Sequence, residues 1–232
     1  MKDGYDEFFK YFDINPNELW EFAQSSIVYI DYDKAQLQWE LLKNNIKTGN
    51  EPVYIRSFGR NGQSTDLFLN LYKEILPNSD LKIDPTNNSK PSNMMKKLTN
   101  YNRDTKQGKN SKYEKISNYQ ISHVYGKTVN PYSFVAPWNV IYLPKILDPF
   151  TGHEATGELV KNFTNELHKY TFDIYKDMIL EYNEINEELY KISMMYVNEY
   201  INNDEYSQRQ IEDFLRAINK QFSIIPTNDG YK

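Results

Sequence analysis

Two apolar runs with β-strand character, Tyr119–Tyr125 and Trp138–Leu147, flank a loop rich in proline, glycine and asparagine. The second run leads through Asp148-Pro149 and Thr151-Gly152 into a long helical pattern. This order of strand, loop, strand and helix constrains the fold more than any other stretch of the chain. His123 lies at the end of the first run, Asn139 opens the second, and His153 stands where the helix begins. The chain has only three histidines, and two of them fall here. A hairpin with a purely structural task needs only a short turn. Here Gly126, Pro131, Pro137, Trp138 and Gly152 punctuate a longer loop around polar residues, and loops held by rigid elements are where function concentrates.

The flanks read as helices. Asn15-Pro16-Asn17-Glu18 is a helix start in which Asn15 caps, Pro16 takes the first helical position and Glu18 closes a capping box. Asp33 is expected to cap a second helix that carries Ala35, Leu37, Trp39, Leu41, Leu42 and Ile46 and ends at Lys47 and Gly49. A short strand from Pro52 then runs into a turn with Arg56, Gly59, Arg60 and Gly62. Ser64 or Thr65 is expected to cap the helix Asp66–Leu76. The turn offers guanidinium forks and backbone N–H groups for a phosphate, although its spacing is not that of a P-loop. Residues 78–118 read as loop with one short helix near Met94–Leu98. After His153 the spacing of Leu159, Val160, Phe163, Leu167, Tyr170, Ile174, Met178 and Ile185 is helical, with Thr156 as its expected cap and a break at Asn202-Asn203-Asp204. Ser207 caps a last helix over Gln208–Phe222. This apolar stripe reads as core together with a self-association seam. His168, inside it, reads as a packed or surface histidine.

Charge sharpens the picture. The net charge of −5 argues against a nucleic-acid partner on its face. Between Lys82 and Lys127, however, ten cations meet three anions, so this segment carries +7 and the remainder −12. A basic segment that feeds into the histidine-bearing loop suits a phosphate backbone. The chain contains no cysteine, which excludes disulfides, thiol catalysis and cysteine-based zinc sites. It has no apolar run of about 18 residues to span a membrane, and its polar, acidic start does not read as a secretory signal. A soluble cytoplasmic protein is expected.

At Ser122-His123, Trp138-Asn139 and Gly152-His153 the chain resembles the HNH, or ββα-metal finger, endonucleases, over about Tyr119 to Tyr170. The resemblance implies an α+β, mostly helical fold with a ββα-metal hairpin-plus-helix core. Residues 1–80 would form a helical N-terminal region with its Arg/Gly turn, 81–118 a basic loop-rich segment, 119–170 the nuclease core and 171–232 a helical C-terminal region. It implies a restriction-type or defence nuclease hydrolysing DNA. His123 would be the general base, since a neutral imidazole with a pKa near 6.5 takes a proton from water at neutral pH. His153 would be a metal ligand, and Asn139 would either bind the metal through its amide oxygen or pin the loop that orients His123. The implied metal is Mg²⁺ or another divalent ion. Many members carry Asp or His where this chain has Ser122. Either fewer protein ligands and more water serve the metal, or Asp148 substitutes, or the finger is degenerate. Arg56, Arg60, Lys112, Lys115 and Lys127 would contact the backbone of double-stranded DNA, and palindromic cutting would favour a homodimer. Two other classes compete: a non-catalytic nucleic-acid-binding module that keeps a degenerate finger, and a helical interaction protein assembled through its acidic C-terminal helices.

Overall fold

Local capping chemistry sets where the N-terminal helices begin and end. The structure, a computed structural model, describes residues 2–59, 62, 64–103, 112–152, 155–200 and 206–227. Helix α1 (Gly4–Phe12) starts on the carboxylate of Asp3, which accepts from the Tyr5 N–H at 2.8 Å. Helix α2 (Pro16–Ser26) has the expected capping box: Asn15 accepts from the Asn17 N–H, and Glu18 accepts from the Asn15 N–H. Helix α3 (Tyr32–Thr48) is capped by Asp31, not Asp33, because the helix begins one residue before Asp33, which therefore sits in its first turn. It ends at Gly49 with φ +68°, where a Cβ would come within 2.2 Å of the Asn78 carbonyl oxygen. Only glycine fits that approach.

The segment read as loop is more ordered than its composition suggests. Strand β1 (Val53–Ile55) pairs in parallel with β2 (Leu81–Ile83), with α4 (Thr65–Ile75) between them in sequence. Ser64 takes the cap position of α4 without a side-chain bond, and the Thr65 hydroxyl instead accepts from the Phe58 N–H at 2.8 Å. After β2 the buried carboxylate of Asp84 accepts from the N–H groups of Thr86, Ser89 and Lys90 and from the Ser89 hydroxyl. These bonds supply acceptors to the first turn of α5 (Ser89–Thr99). Met94 and Met95 then dock that helix on the core. Two short strands follow, β3 (Tyr101–Asn102) and β4 (Glu114–Lys115), paired in parallel.

The central hairpin forms from the two apolar runs. Strand β5 (Tyr119–His123) pairs antiparallel with β6 (Val140–Pro144), with His123 opposite Val140 and Tyr119 opposite Pro144. A 3₁₀ helix (Lys145–Thr151) leads on to α6 (Glu158–Tyr200), which is kinked at Tyr175, and α7 (Gln208–Gln221) is capped by Ser207 in a second capping box. Helix α6 begins after Gly157, so Thr156 is not its cap. The break expected at residues 202–204 lies outside the described residues.

Strand β6 shows why Val-Ile-Tyr-Leu is an unbroken apolar run. Successive side chains of a strand point to opposite faces, and both faces here are covered. Val140 and Tyr142 join a core with Trp39, Met95, Trp138, Tyr175 and Tyr182, while Ile141 and Leu143 join a second with Phe9, Leu147, Phe163 and Leu167. A third cluster packs Ile55, Phe68 and Tyr72 against Val129, Leu189, Phe214 and Phe222. The first core draws on all four sequence segments, from Ile30 to Ile225. The stripe of α6 is thereby spent largely within the chain's own core. The architecture is α+β and mostly helical, with three small two-stranded sheets among the described residues. No helix among those residues is long and apolar enough to cross a membrane.

Candidate functional site

Beyond β5 the backbone turns sharply. Gly126 and Lys127 both adopt positive φ, +66° and +53°, and the Gly126 N–H returns to the His123 carbonyl at 3.2 Å. His123 itself is buried, with its ring stacked on Phe134 at 5.3 Å and 12°. Its Nε2 lies 2.9 Å from the Phe134 carbonyl oxygen. A carbonyl only accepts, so Nε2 carries the hydrogen, and in the neutral ring Nδ1 is the atom that accepts a proton.

Asn139 is fully buried and takes the loop-pinning option of the two expected of it. Its amide oxygen accepts from the Tyr125 N–H at 2.9 Å, and its amide nitrogen donates to the carbonyls of Gly126 and Ser133 and to the Ser133 hydroxyl. The side chain is thus spent on the loop behind His123 and does not line the cavity described next, which corrects its assignment as a metal ligand.

Several distant segments close around His123 to form a cavity of about 490 Å³. Arg56 enters from beyond β1, where its N–H bonds the Thr128 carbonyl at 2.9 Å. Asn88 comes from the start of α5, Arg103 from beyond β3, Gln120 and Ser122 from β5, Asp148 from the 3₁₀ helix and Lys220 from the end of α7. Gln120 donates its amide N–H to Asp148 Oδ1, fixing that carboxylate. Among the described residues four cations, Arg56, Arg103, Lys127 and Lys220, line the cavity against the single carboxylate of Asp148. Burial draws the Arg103 guanidinium below its ordinary pKa, with the Tyr142 phenol opposing.

Lys127 has a different task from the backbone contact expected of it. Its ammonium donates to the carbonyls of Lys220 (3.1 Å) and Ser223 and to the Ser223 hydroxyl (2.6 Å). All three of its N–H bonds therefore go to the C-terminal end of α7, where a cation suits the helix dipole. Burial, with the neighbouring Lys220 charge, pulls its pKa down to about 8. The same loop is held further by Asn130, whose amide donates to Asn186 Oδ1 at 2.7 Å, and by Gln221, which accepts from the Val129 N–H at 3.0 Å.

Of the expected site residues, the structure gathers His123, Asp148, Arg56 and Lys127 around one cavity. Lys112 and Lys115 are exposed and do not line it. Arg60 and His153 lie outside the described residues. His168 is packed, with its Nε2 2.9 Å from the Val124 carbonyl oxygen and its ring against Tyr125. Arg103, Gln120, Asn88 and Lys220 were not singled out from the sequence; Arg103 was visible only as one of ten cations in the basic segment. Among the described residues no group of three or more His, Asp or Glu side chains gathers as a metal cluster. A divalent ion here would have to be held by one carboxylate, water and substrate phosphate rather than by a protein cage. Asp148 is the one carboxylate lining the cavity among the described residues, and the Asn88 Oδ1 beside it is buried with no donor among them.

The fold and the cavity together define an α+β, mostly helical protein with a cation-lined pocket at the end of its central hairpin. Over residues 30–227 the chain matches the family described as "Uncharacterised protein PM1201", and it belongs to that family. It is 38% identical over 229 residues to a protein from Pasteurella multocida (strain Pm70) that bears the same description, covering 97% of each chain. No solved structure matches. Every residue of the cavity falls within the family match.

Proposed function

We propose that the protein is an endonuclease that hydrolyses phosphodiester bonds of double-stranded DNA in this cavity, with a divalent ion as cofactor. The observation that carries the reading is His123, fixed in one tautomer by the Phe134 carbonyl at a cavity that also holds Asp148 and the guanidinium of Arg56. Nδ1 of His123 takes a proton from water, and the resulting hydroxide attacks phosphorus as the bond to the leaving oxygen breaks. Arg56 and Arg103 bind the non-bridging oxygens and offset the charge that builds there. Asp148 would hold the divalent ion, which would supply stabilisation for the charge that develops on the leaving oxygen. Asn139 acts as a positioning residue, holding the loop on which the His123 carbonyl contact depends. The restriction-type form of this reading cuts both strands and uses a homodimer.

The test is nicking of supercoiled plasmid in Mg²⁺ by the wild type, His123→Ala and Asp148→Asn. Cleavage by the wild type that falls at least a hundredfold in His123→Ala supports the reading. A wild type that nicks no DNA in Mg²⁺ or Mn²⁺ sinks it. A second reading, a nucleic-acid-binding module without catalysis, is favoured by Ser122 at the position where a metal-binding acid would sit. It expects salt-sensitive DNA binding that His123→Ala leaves unchanged.

A further inference from the structure

A second cavity, of about 670 Å³, opens beside the first and shares Arg103 with it. Among the described residues its charged lining consists of Lys96 from α5, Arg103, and Lys145 from the start of the 3₁₀ helix, with no Asp or Glu. The rest of its polar lining includes the hydroxyls of Ser92 and Ser117 and the amides of Asn93 and Asn118. Such groups bond an anion without adding charge.

Arg103 is the informative residue. Its guanidinium packs over the Tyr142 ring, 5.7 Å from the centroid, which holds it in place. Its bonds to the Tyr119 carbonyl and the Ser92 hydroxyl are both long at 3.4 Å. Its Nε is buried and has no acceptor among the described residues. A half-buried guanidinium costs free energy to desolvate unless an anion pairs with it, and among the described residues no carboxylate lines this second cavity. The two cavities share this one under-bonded guanidinium, so each presents it with a flanking cationic lining.

We propose that this second cavity binds a backbone phosphate of the DNA strand whose scissile phosphate lies beside His123. The proposal rests on the phosphodiester reading of the first cavity and adds the flanking contact that selects a polymer over a small phosphodiester. Lys96 and Lys145 carry the contact as point charges, and Arg103 bridges the two phosphates.

The experiment compares the wild type, His123→Ala and the double variant Lys96→Gln/Lys145→Gln in full-length protein. It measures duplex binding from 50 to 300 mM salt, together with kcat and KM for plasmid and for a dinucleotide with one phosphodiester. Glutamine keeps the aliphatic stems, so the fold is expected to persist, and circular dichroism checks it. The double variant is expected to lower the slope of log affinity against log salt by about 2. It is also expected to raise KM for plasmid several-fold while leaving kcat and dinucleotide hydrolysis unchanged. A double variant with the wild-type slope and KM overturns the proposal while leaving the nuclease reading intact. A wild type that binds DNA but cuts nothing, with the slope still reduced in the double variant, overturns the nuclease reading and keeps the second cavity as a binding site. A wild type that does not bind duplex DNA overturns both.

Discussion

Replacing Asn139 with alanine tests the link between buried hydrogen bonding and the architecture of the site. The amide satisfies the Tyr125 N–H and the carbonyls of Gly126 and Ser133, all in a loop where the side chain has no solvent exposure. Leaving a buried backbone polar group unpaired costs about 1–3 kcal/mol. Three such groups, relaxing in part, place the expected loss at roughly 3–6 kcal/mol. Against a total stability of about 5–15 kcal/mol for a typical domain, the variant should be marginal. Urea unfolding at pH 7, followed by fluorescence of the buried Trp39 and Trp138, reads this as a lower midpoint with the slope unchanged. Asn139→Asp supplies a sharper control. It keeps the shape but presents two acceptors to the Gly126 and Ser133 carbonyls, so its folded form favours the protonated acid. Its folded pKa is then raised above the unfolded value near 3.9, and its stability falls as pH rises from the acid side through that raised value. A loss below 1 kcal/mol in Asn139→Ala, or no pH dependence in Asn139→Asp relative to wild type, would refute the assignment of this amide as the pin of the loop.

Lys127 and Asp84 both predict stability that rises with pH, in separate windows. The Lys127 pKa is lowered to about 8 in the folded chain, so between pH 8 and about 10.4 the unfolded state binds the extra proton and stability rises with pH. Wild type should therefore gain about 1–2 kcal/mol on Lys127→Met between pH 7.5 and 9.5, measured as the difference between their urea midpoints; a constant difference counts against it. For Asp84, burial alone would raise the carboxyl, but the N–H groups of Lys90, Thr86 and Ser89 and the Ser89 hydroxyl outweigh it and lower the pKa. Its stabilisation is thus complete above the ordinary carboxylate range and is lost as pH falls through the lowered folded value. Asp84→Asn should cost about 1–2 kcal/mol at neutral pH and show a shallower loss of thermal stability between pH 5 and 3.

What the sequence disclosed follows the range over which each signal acts. The capping box at Asn15, the cap at Ser207 and the glycine stop at Gly49 are written within four residues, and each appears where expected. The hairpin was legible because β6 is apolar on both faces and His123 and Asn139 mark its ends. Asp31 could not be told from Asp33, since either side chain reaches a first turn and the choice turns on where Ile30 packs. The pairing of β1 with β2 left little trace, because three-residue strands carry almost no alternation and a parallel pair is set by the helix between them. Asp84 hid for a related reason: a carboxylate capping a helix five residues ahead looks, in sequence, like part of a polar loop. The cavity was half legible. His123, Asp148 and Arg56 stood out by residue type and local punctuation. Gln120, Asn88 and Lys220 carry no such mark, and only the tertiary convergence of residues 56 to 221 brings them to one place.

The length of the loop between the hairpin strands becomes intelligible from what it gathers. Its Thr128 carbonyl takes the N–H of Arg56, its Val129 N–H goes to Gln221, its Asn130 amide goes to Asn186, and the Lys127 ammonium closes on the end of α7. A two-residue turn would join β5 to β6 with fewer buried polar groups and less ordering cost. The buried amides and the ammonium each require partners from outside the hairpin, and those partners bring Arg56 and Lys220 to the cavity that His123 and Asp148 share. The end of α7 is therefore part of the cavity wall. That helix's dipole end holds one lysine, and Lys220 beside it faces the cavity, which is why a chain of net negative charge can still present a locally cationic pocket.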